Sequence, residues 1–437
     1  MNIHIYFTVL IILFNLGNLY SNIPIDNESL VQMARRYGTP LYVYHEERVR
    51  ENYHRLSKAF KSRYPQCEVY YAVKANSHPA LLHILRDEGA GFDCSCIEEV
   101  QLVRQLGVPT EKMICTGAYV SCDDMEKILA HGVQINFDSI SVLERFSQGT
   151  IPDCVSFRIN PGIGMSGCEG LIFAGEDAKF GVSQHLAESA YSKAKQLGAK
   201  RFGAHMMTGS NILDPSYFPA IVETLFDIIG PIAEKLDITF DYVDLGGSFG
   251  IPYHPDDLPL DIEEIAERVI AVVNRKLAQY SMGKPKIVLE PGRYLVGDAG
   301  VLLTQVTSVK EEAQKYIGVD AGINTLYFIE GAYRHIIPLG PMHSSQVAPA
   351  NVVGPLCTNK DIFARDFPLP IDIQEGDYLC ICDVGAYGYA KASQFNTRPR
   401  CAEVLLSNGK SYLIRQSEKL EDLFKKTSIP YHLLQRE

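Results

Sequence analysis

Eight short apolar runs separated by amphipathic segments of helical length dominate residues 68–291 of this 437-residue chain. The runs lie at residues 68–75, 91–96, 113–117, 133–138, 154–160, 201–207, 240–246 and 286–290. Helix-like segments lie between most of them, at residues 79–88, 97–106, 122–131, 186–197, 217–236 and 262–279. Strands that alternate with helices in this way predict an α/β fold, a parallel (β/α)8 TIM-like barrel, which we place at residues 46–292.

The pattern changes after residue 292. Alternating runs at residues 301–310, 378–382, 400–406 and 411–415 carry turn signals but few long helical patterns. They predict a largely antiparallel β domain over residues 293–437. A short apolar run at residues 41–44 precedes the barrel, and we expect residues 23–45 to join the β domain, so that both ends of the chain build it.

Residues 1–22 form an N-terminal extension that is strongly apolar from Ile5 to Leu19. This length fits the core of a signal peptide better than a membrane-spanning helix. However, no lysine or arginine precedes the segment, and Leu19-Tyr20-Ser21 is a poor cleavage site. A signal, a membrane tether, an additional packing segment and a misassigned start all stay open.

The net charge and the cysteine content indicate which binding partners and which cellular compartment to expect. The net charge of −11 argues against a nucleic-acid partner, which requires a basic surface. Eleven cysteines lie between Cys67 and Cys401, and none has the spacing of a zinc site, so we expect no metal. We interpret most of them as small buried residues in a reducing compartment, and we expect a cytoplasmic protein without a membrane span.

Chemically reactive residues cluster where the predicted barrel strands end, which is the catalytic face of such barrels. Lys74 sits inside an apolar strand, between Val73 and Ala75, and a lysine buried there would act as a nucleophilic amine that forms an imine. A lysine at the barrel rim is the structural alternative. The turn at Gly246 and Gly247 lets backbone amides approach a phosphate. In the run 290–293, Glu290 can hold a protonated ring nitrogen and Arg293 can pair with phosphate.

A second group of residues follows in the predicted β domain. Cys357 stands beside a Gly-Pro turn, where a thiol can act as a proton donor. Tyr387 ends a Gly-Ala-Tyr run, and its hydroxyl can bond a phosphate. As isolated residues, both are more often structural.

Together these runs resemble the diaminopimelate decarboxylases, pyridoxal-phosphate-dependent enzymes with an alanine-racemase-like barrel. Residues 71–76, 179–181, 290–293, 385–387 and 396–400 match the family pattern in order, and the resemblance covers nearly all of the chain from Ile23. It implies pyridoxal 5'-phosphate as the cofactor and a head-to-tail homodimer with shared active sites. It also implies an alanine-racemase-like C-terminal β domain.

The resemblance also implies roles for individual residues. Lys74 would bond the cofactor, and Cys357, reaching the site from the second subunit, would protonate the substrate carbon after carbon dioxide leaves. Further cofactor contacts would come from Asp93, His205, Met207, Ser210, Gly246, Gly247, Glu290, Gly292, Arg293 and Tyr387. The substrate would be bound by Arg293, Tyr333, Arg334, Thr358 and Tyr387.

Four positions depart from the family pattern. Met207 stands where a histidine usually stacks on the cofactor ring, and Ser248 replaces the third glycine of the turn. Thr358 replaces a glutamate that contacts the distal amine of diaminopimelate. The run at residues 319–333 is about two residues short and lacks the usual arginine for the distal carboxylate, for which Arg334 is the candidate substitute. The last two changes concern the far end of the substrate, where such swaps alter specificity.

The resulting hypothesis is decarboxylation of an amino acid, with meso-diaminopimelate converted to L-lysine as the first candidate reaction. A second hypothesis is a decarboxylase for another amino acid or for a carrier-bound or polyamine precursor. A third is a cofactor-binding homologue without catalysis, which the presence of both Lys74 and Cys357 disfavours.

Overall fold

A computed structural model describes residues 25–146, 151–166, 172–327, 333–341 and 344–434 of the chain. The apolar extension expected at residues 1–22 therefore lies outside the described residues. The chain forms two compact units. One, the barrel unit, is Glu46–Asp298, and the other, the β unit, combines the residues up to His45 with those from Ala299 onward.

The N-terminal part of the β unit contributes α1 (Asn27–Tyr37) and β1 (Leu41–His45). The Asp26 carboxylate accepts a hydrogen bond from the Ser29 amide and so caps the first turn of α1. All five residues of β1 are buried, which identifies it as a central strand. The predicted strand at residues 41–44 is therefore present.

The barrel unit contains eight parallel strands. These are β2 (Cys67–Ala72), β3 (Gly91–Cys94), β4 (Met113–Cys115), β5 (Gln134–Phe137), β6 (Cys154–Asn160), β8 (Arg201–His205), β9 (Phe240–Asp244) and β10 (Lys286–Leu289). Pairing of β5 with β6 closes the sheet, and pairing of β10 with β2 completes the ring. A two-residue strand, β7 (Val182–Ser183), adds to β6. The predicted barrel fold is confirmed.

Helices surround these strands because each strand is covered on both faces and each helix buries one apolar stripe. The longer of these helices are α2 (Glu46–Lys61), α3 (Pro79–Asp87), α4 (Ile97–Gln105), α5 (Cys122–Ala130), α6 (Ile140–Phe146), α7 (Gln184–Gln196), α8 (Tyr217–Leu236) and α9 (Ile262–Gln279). In α9, Ile262, Ile265, Val269 and Val273 recur at helical spacing and are buried. A four-residue helix, α10 (Arg293–Val296), follows β10.

The remaining strands belong to the β unit. They are β11 (Gly300–Glu311), β12 (Lys315–Val319), β13 (Ile336–Leu339), β14 (Val347–Val353), β15 (Ile362–Pro370), β16 (Tyr378–Ile381), β17 (Ala402–Ser407) and β18 (Lys410–Arg415). Two short helices, α11 (Leu420–Phe424) and α12 (Tyr431–Leu434), end the described chain.

Both ends of the chain meet in one sheet of the β unit, in the order β15-β14-β12-β11-β1-β17-β18. Most pairs are antiparallel, but β1 pairs with β17 and β12 pairs with β14 in parallel. The expectation of a largely antiparallel β domain is therefore confirmed, with these two parallel pairs as exceptions. The β1–β17 pair joins segments about 360 residues apart, which no local turn signal can reveal.

The ten described cysteines are all free thiols, and seven of them are buried. This agrees with their interpretation as small core residues. Among the described residues, no helix combines the length and the apolarity needed to cross a membrane.

Candidate active site

The C-terminal ends of the barrel strands bring together the ten residues of the barrel unit that the sequence singled out. In chain order they are Lys74, Asp93, His205, Met207, Ser210, Gly246, Gly247, Glu290, Gly292 and Arg293. Parallel strands end on the same edge of a barrel, so residues far apart in sequence meet there. This edge is the candidate active site.

Lys74 lies in a single turn of 3-10 helix, Val73–Ala75, immediately after β2. Its Nζ is 2.6 Å from Oδ2 of Asp93, a residue of β3 whose side chain is fully buried. The Lys74 side chain itself is 42% exposed. The expectation of a buried lysine inside a strand is therefore wrong, because the strand ends at Ala72 and the turn directs the amine toward the open end of the barrel.

Asp93 is an unusual partner for a lysine because it is wholly buried. Burial, followed by the charge of Glu290, raises the pKa of Asp93 to about 7, against the opposing influence of Lys74. The protonated form of this carboxyl group is therefore favoured more than in an exposed aspartate. It is placed to exchange a proton with the amine beside it.

His205 and Glu290 form a second buried pair across the barrel. Nε2 of His205 lies 3.0 Å from Oε2 of Glu290, and both side chains are almost completely buried. Burial alone raises the pKa of Glu290, but the contacts with His205 and Asp244 and the charge of Lys74 together lower this pKa below its usual range. Oε1 of Glu290 has no hydrogen-bond partner among the described residues. A buried anionic oxygen of this kind can accept a hydrogen bond from a protonated ring nitrogen.

In the turn after β9, neighbouring backbone atoms leave no room for a side chain at Gly246 or Gly247. A side chain at Gly246, where φ is +70°, would bring Cβ to 2.3 Å from the Met206 carbonyl oxygen. One at Gly247 would come equally close to the carbonyl oxygen of Glu290. The glycines therefore allow the turn to pack against the strand ends that carry His205 and Glu290. This close packing was not predicted from the sequence, which indicated only the approach of backbone amides to a phosphate.

Arg293 begins α10 directly after Gly292, and its side chain is buried. Its guanidinium donates to the hydroxyl of Tyr253, and Nη2 lies 3.4 Å from Oγ of Ser210. The structure thus joins two predicted residues, Ser210 and Arg293, and adds Tyr253. A buried cation beside two hydroxyl groups is suited to an anion such as a phosphate.

Met207 occupies the loop after β8 and is partly exposed. Its Sδ lies 3.5 Å from the amide nitrogen of Gly247, so the thioether contacts the glycine turn. The carbonyl oxygen of Met207 accepts a hydrogen bond from Arg158 at 3.4 Å. Met207 is therefore held from two sides at the rim of the site.

Arg158 and Asp244 are two residues of this edge that the sequence reasoning missed. Arg158 is buried in β6, lies over the Phe180 ring at 4.5 Å and donates to the Phe173 carbonyl. Asp244 is the last residue of β9 and is fully buried. A charged residue inside an otherwise apolar run was the available signal, the same one that drew attention to Lys74.

The other candidate residues lie in the β unit. Cys357 is exposed, and its Sγ accepts a hydrogen bond from Nδ2 of Asn396 at 2.9 Å. Asp361 stabilises the turn that carries Cys357. Its carboxylate accepts hydrogen bonds from the amides of Leu356 and Ile323, both at 2.7 Å. Cys357 thus sits on an organised turn with an amide beside its thiol.

Thr358, Tyr333, Arg334 and Tyr387 are also described. Thr358 accepts a hydrogen bond from the Lys360 amide, and the Arg334 guanidinium donates to the Tyr333 carbonyl at 2.8 Å. Tyr387 has a φ of +59°, which for a tyrosine marks a constrained turn. Part of the shortened run before them, residues 328–332, lies outside the described residues.

A barrel edge that combines an amine, a buried carboxylate with an open acceptor position and a buried anion-binding arginine defines an enzyme built around a phosphorylated, nitrogen-containing cofactor. Residues 47–297 match the family described as pyridoxal-dependent decarboxylase, pyridoxal binding domain. The chain belongs to the pyridoxal-dependent decarboxylase family, and its cofactor is pyridoxal 5'-phosphate.

Proteins that are similar over nearly the full length of this chain agree with this family assignment. The diaminopimelate decarboxylase of Methanothermobacter thermautotrophicus is 42% identical over 416 residues, covering 94% of this chain and 97% of the relative. The solved diaminopimelate decarboxylase of Methanocaldococcus jannaschii has a TM-score of 0.85 at 31% identity, over 92% of this chain and 95% of that one. That of Helicobacter pylori, complexed with L-lysine, has a TM-score of 0.82 at 29% identity, over 92% and 98%.

Proposed function

We propose that this protein is a pyridoxal-phosphate-dependent carboxy-lyase that converts meso-diaminopimelate to L-lysine and carbon dioxide. The observation that carries the proposal is a pair of short polar contacts at one barrel edge, Lys74 with Asp93 and His205 with Glu290. The first provides an amine at the open end of the barrel, and the second provides a buried carboxylate with one oxygen still able to accept. Relatives named diaminopimelate decarboxylase indicate the substrate.

The residues of the barrel unit fit this cofactor at both of its ends. Glu290, through Oε1, would accept the hydrogen bond of the protonated ring nitrogen, and Arg293 with Ser210 would hold the phosphate. Lys74 would bond the cofactor covalently through Nζ. When bound, pyridoxal phosphate supplies an electron sink for the carbon that loses carbon dioxide.

The chain's own residues then do three things. Asp93 takes up or returns a proton at Nζ of Lys74, from which it is 2.6 Å away. Glu290, kept anionic, would stabilise a proton on the ring nitrogen of the bound cofactor. Met207 packs at the rim, where a thioether can contact an aromatic face but provides no strong hydrogen bond.

The residues of the β unit would serve the substrate. We assign proton donation to Cys357 and contacts with the distal groups to Arg334, Tyr333, Thr358 and Tyr387. Since Thr358 has no charge, the distal amine would be bound by neutral hydrogen bonds instead of an ion pair. We also propose that the protein is a homodimer in which Cys357 and Tyr387 complete the site of the partner, and that it works in the cytoplasm, where free thiols persist.

One assay tests the proposal directly. Purified protein with pyridoxal phosphate is incubated separately with meso-diaminopimelate, L-lysine, L-ornithine and L-arginine, and released carbon dioxide is measured. Release from meso-diaminopimelate, with L-lysine as the product, is the expected result. Release only from another amino acid would favour the second hypothesis, and cofactor binding without any turnover would favour the non-catalytic homologue.

A further inference from the structure

Asp244 is a buried acid for which the mechanism above has no role. It is the last residue of β9, fully buried, and in register with His205 on the neighbouring strand β8. Side-chain atoms of His205, Asp244 and Glu290 lie within 4.8 Å of one another. Two carboxyl groups and one imidazole therefore share a site that water does not reach.

The hydrogen bonds of this cluster leave one position for a proton. Oδ1 of Asp244 accepts from the Gly246 amide at 2.9 Å, while Oδ2 has no partner in the described part of the chain. Oε2 of Glu290 faces Nε2 of His205. The two oxygens without a partner are thus Oδ2 of Asp244 and Oε1 of Glu290. If both groups were carboxylates they would repel each other, whereas a protonated acid and a carboxylate would attract each other.

His205 does not supply a compensating charge. Its Nε2 donates to Glu290, and its Nδ1 is buried without a partner within the described ranges. A second proton on that nitrogen would have no acceptor, so the neutral ring costs less. Burial lowers the pKa of His205, in agreement with the geometry.

The surroundings of Asp244 add further negative charge. Burial first, then the charge of Glu290, raises the pKa of Asp244 well above its usual range, and Asp93 acts in the same direction. The Gly246 amide opposes the shift. The groups that face Asp244 therefore favour a neutral acid.

We propose that Asp244 is a positioning residue, in which Oδ2 keeps a proton and donates a hydrogen bond to Oε1 of Glu290. Glu290 is then the one carboxylate anion of the cluster, fixed by His205 on one oxygen and by Asp244 on the other. A carboxylate oxygen has two lone pairs, so Oε1 can still accept from the cofactor ring. The protonation is a property of the fold, whereas its use in holding the ring rests on the proposed function.

Asp244 also connects this anion to the glycine turn. The Gly246 amide donates to Asp244, and the Gly246 carbonyl accepts from the Glu290 amide at 2.8 Å. Both the side chain and the backbone of Glu290 are therefore tied to the segment 244–246. A change at Asp244 is expected to reach the cofactor through the orientation of Glu290.

Infrared difference spectroscopy tests the proton on Asp244. Spectra of the full-length wild type and of Asp244→Asn are recorded at neutral pH, with cofactor bound and after its removal. We expect the variant to lose the carbonyl band of one protonated carboxylic acid in both states. Asp241→Asn is the matched control on the same strand, since Asp241 is at the surface and pairs with Arg201 at 3.1 Å, and it should lose a carboxylate band instead. Loss of a carboxylate band in Asp244→Asn would overturn the proposal.

Cofactor affinity provides the second measurement. An amide at position 244 keeps the acceptor for Gly246 and the donor toward Glu290, so Asp244→Asn should bind pyridoxal phosphate within about threefold of wild type. Asp244→Leu removes both and should bind at least about tenfold more weakly. Equal weakening in the two variants, or failure of the asparagine variant to fold, would contradict the proposal. Absence of cofactor binding by wild type would contradict the proposed function. The proton on Asp244 is tested separately, by the infrared band of the cofactor-free protein.

Discussion

The barrel unit and the β unit hold their candidate residues in different ways. In the barrel unit, Asp93, His205, Asp244 and Glu290 are buried near the strand ends, where Asp93 contacts Lys74 and His205 contacts Glu290. In the β unit, Cys357 is exposed on a turn that Asp361 organises, and Arg334 donates to a neighbouring carbonyl. The residues at the barrel end are thus held by contacts within the barrel unit itself.

This difference suggests a division of labour. A buried, mutually hydrogen-bonded cluster tolerates little change, which suits contacts to an invariant cofactor. Exposed residues on turns can be exchanged without disturbing a core, which suits contacts that select a substrate. The departures from the family pattern at Thr358 and Arg334 lie in the β unit, where both residues are partly buried, although Met207 and Ser248 show that the barrel rim also varies.

The largest effect is expected at Lys74. Lys74→Ala removes the amine that bonds the cofactor, so decarboxylation should fall at least about 10⁴-fold. The visible absorbance band of the lysine-bound cofactor should disappear with it. Lys112→Ala is the matched control, since Lys112 pairs with Glu68 and lies outside the site. Persistence of the band in Lys74→Ala would remove Lys74 from this role.

Glu290→Gln comes next, because it removes the buried anion that keeps the ring nitrogen protonated. We expect kcat to fall about 10³-fold, the range found when one electrostatic contact to a reacting group is lost. Glu98→Gln, on the exposed face of α4, should leave kcat unchanged. A Glu290→Gln variant with wild-type kcat would show that the barrel cluster is structural only.

Cys357→Ala tests the β unit. Loss of a proton donor should lower kcat about 100-fold, while cofactor content stays at the wild-type level. Cys122→Ala replaces the other exposed thiol of the described chain and serves as the control. Loss of cofactor together with activity would break the proposed division between the units.

Arg334→Leu should have the smallest effect. If Arg334 binds the distal carboxylate, KM for meso-diaminopimelate should rise about tenfold with little change in kcat, since one charged contact contributes about 1.4 kcal/mol to binding. Arg365→Leu, an exposed arginine of β15, is the control. A fall in kcat at constant KM would place Arg334 outside substrate recognition.

Much of the barrel end was predictable from the sequence because its signals are local. Each barrel strand is a short apolar run, and each was found to within a few residues at its ends. Seven of the eight predicted strands extended beyond the observed C-terminal end by one to three residues, as at Lys74. The turn that exposes the Lys74 amine has no separate sequence signal.

The remaining features depend on contacts between distant residues. Asp244 was not predicted as a site residue, and its place near Glu290 follows from the register of β9 with β10. The contact of Arg158 with Phe180 depends on a loop that returns to β6. In the β unit, the parallel pair of β1 and β17 joins the two ends of the chain. Local patterns do not determine such pairings.

The attachment point of the cofactor is the most direct test of the account. The purified holoenzyme is reduced with borohydride, digested and analysed by mass spectrometry for a lysine that carries the reduced cofactor. We expect a single modified peptide, with the added mass on Lys74. Modification of another lysine, or of none, would contradict it.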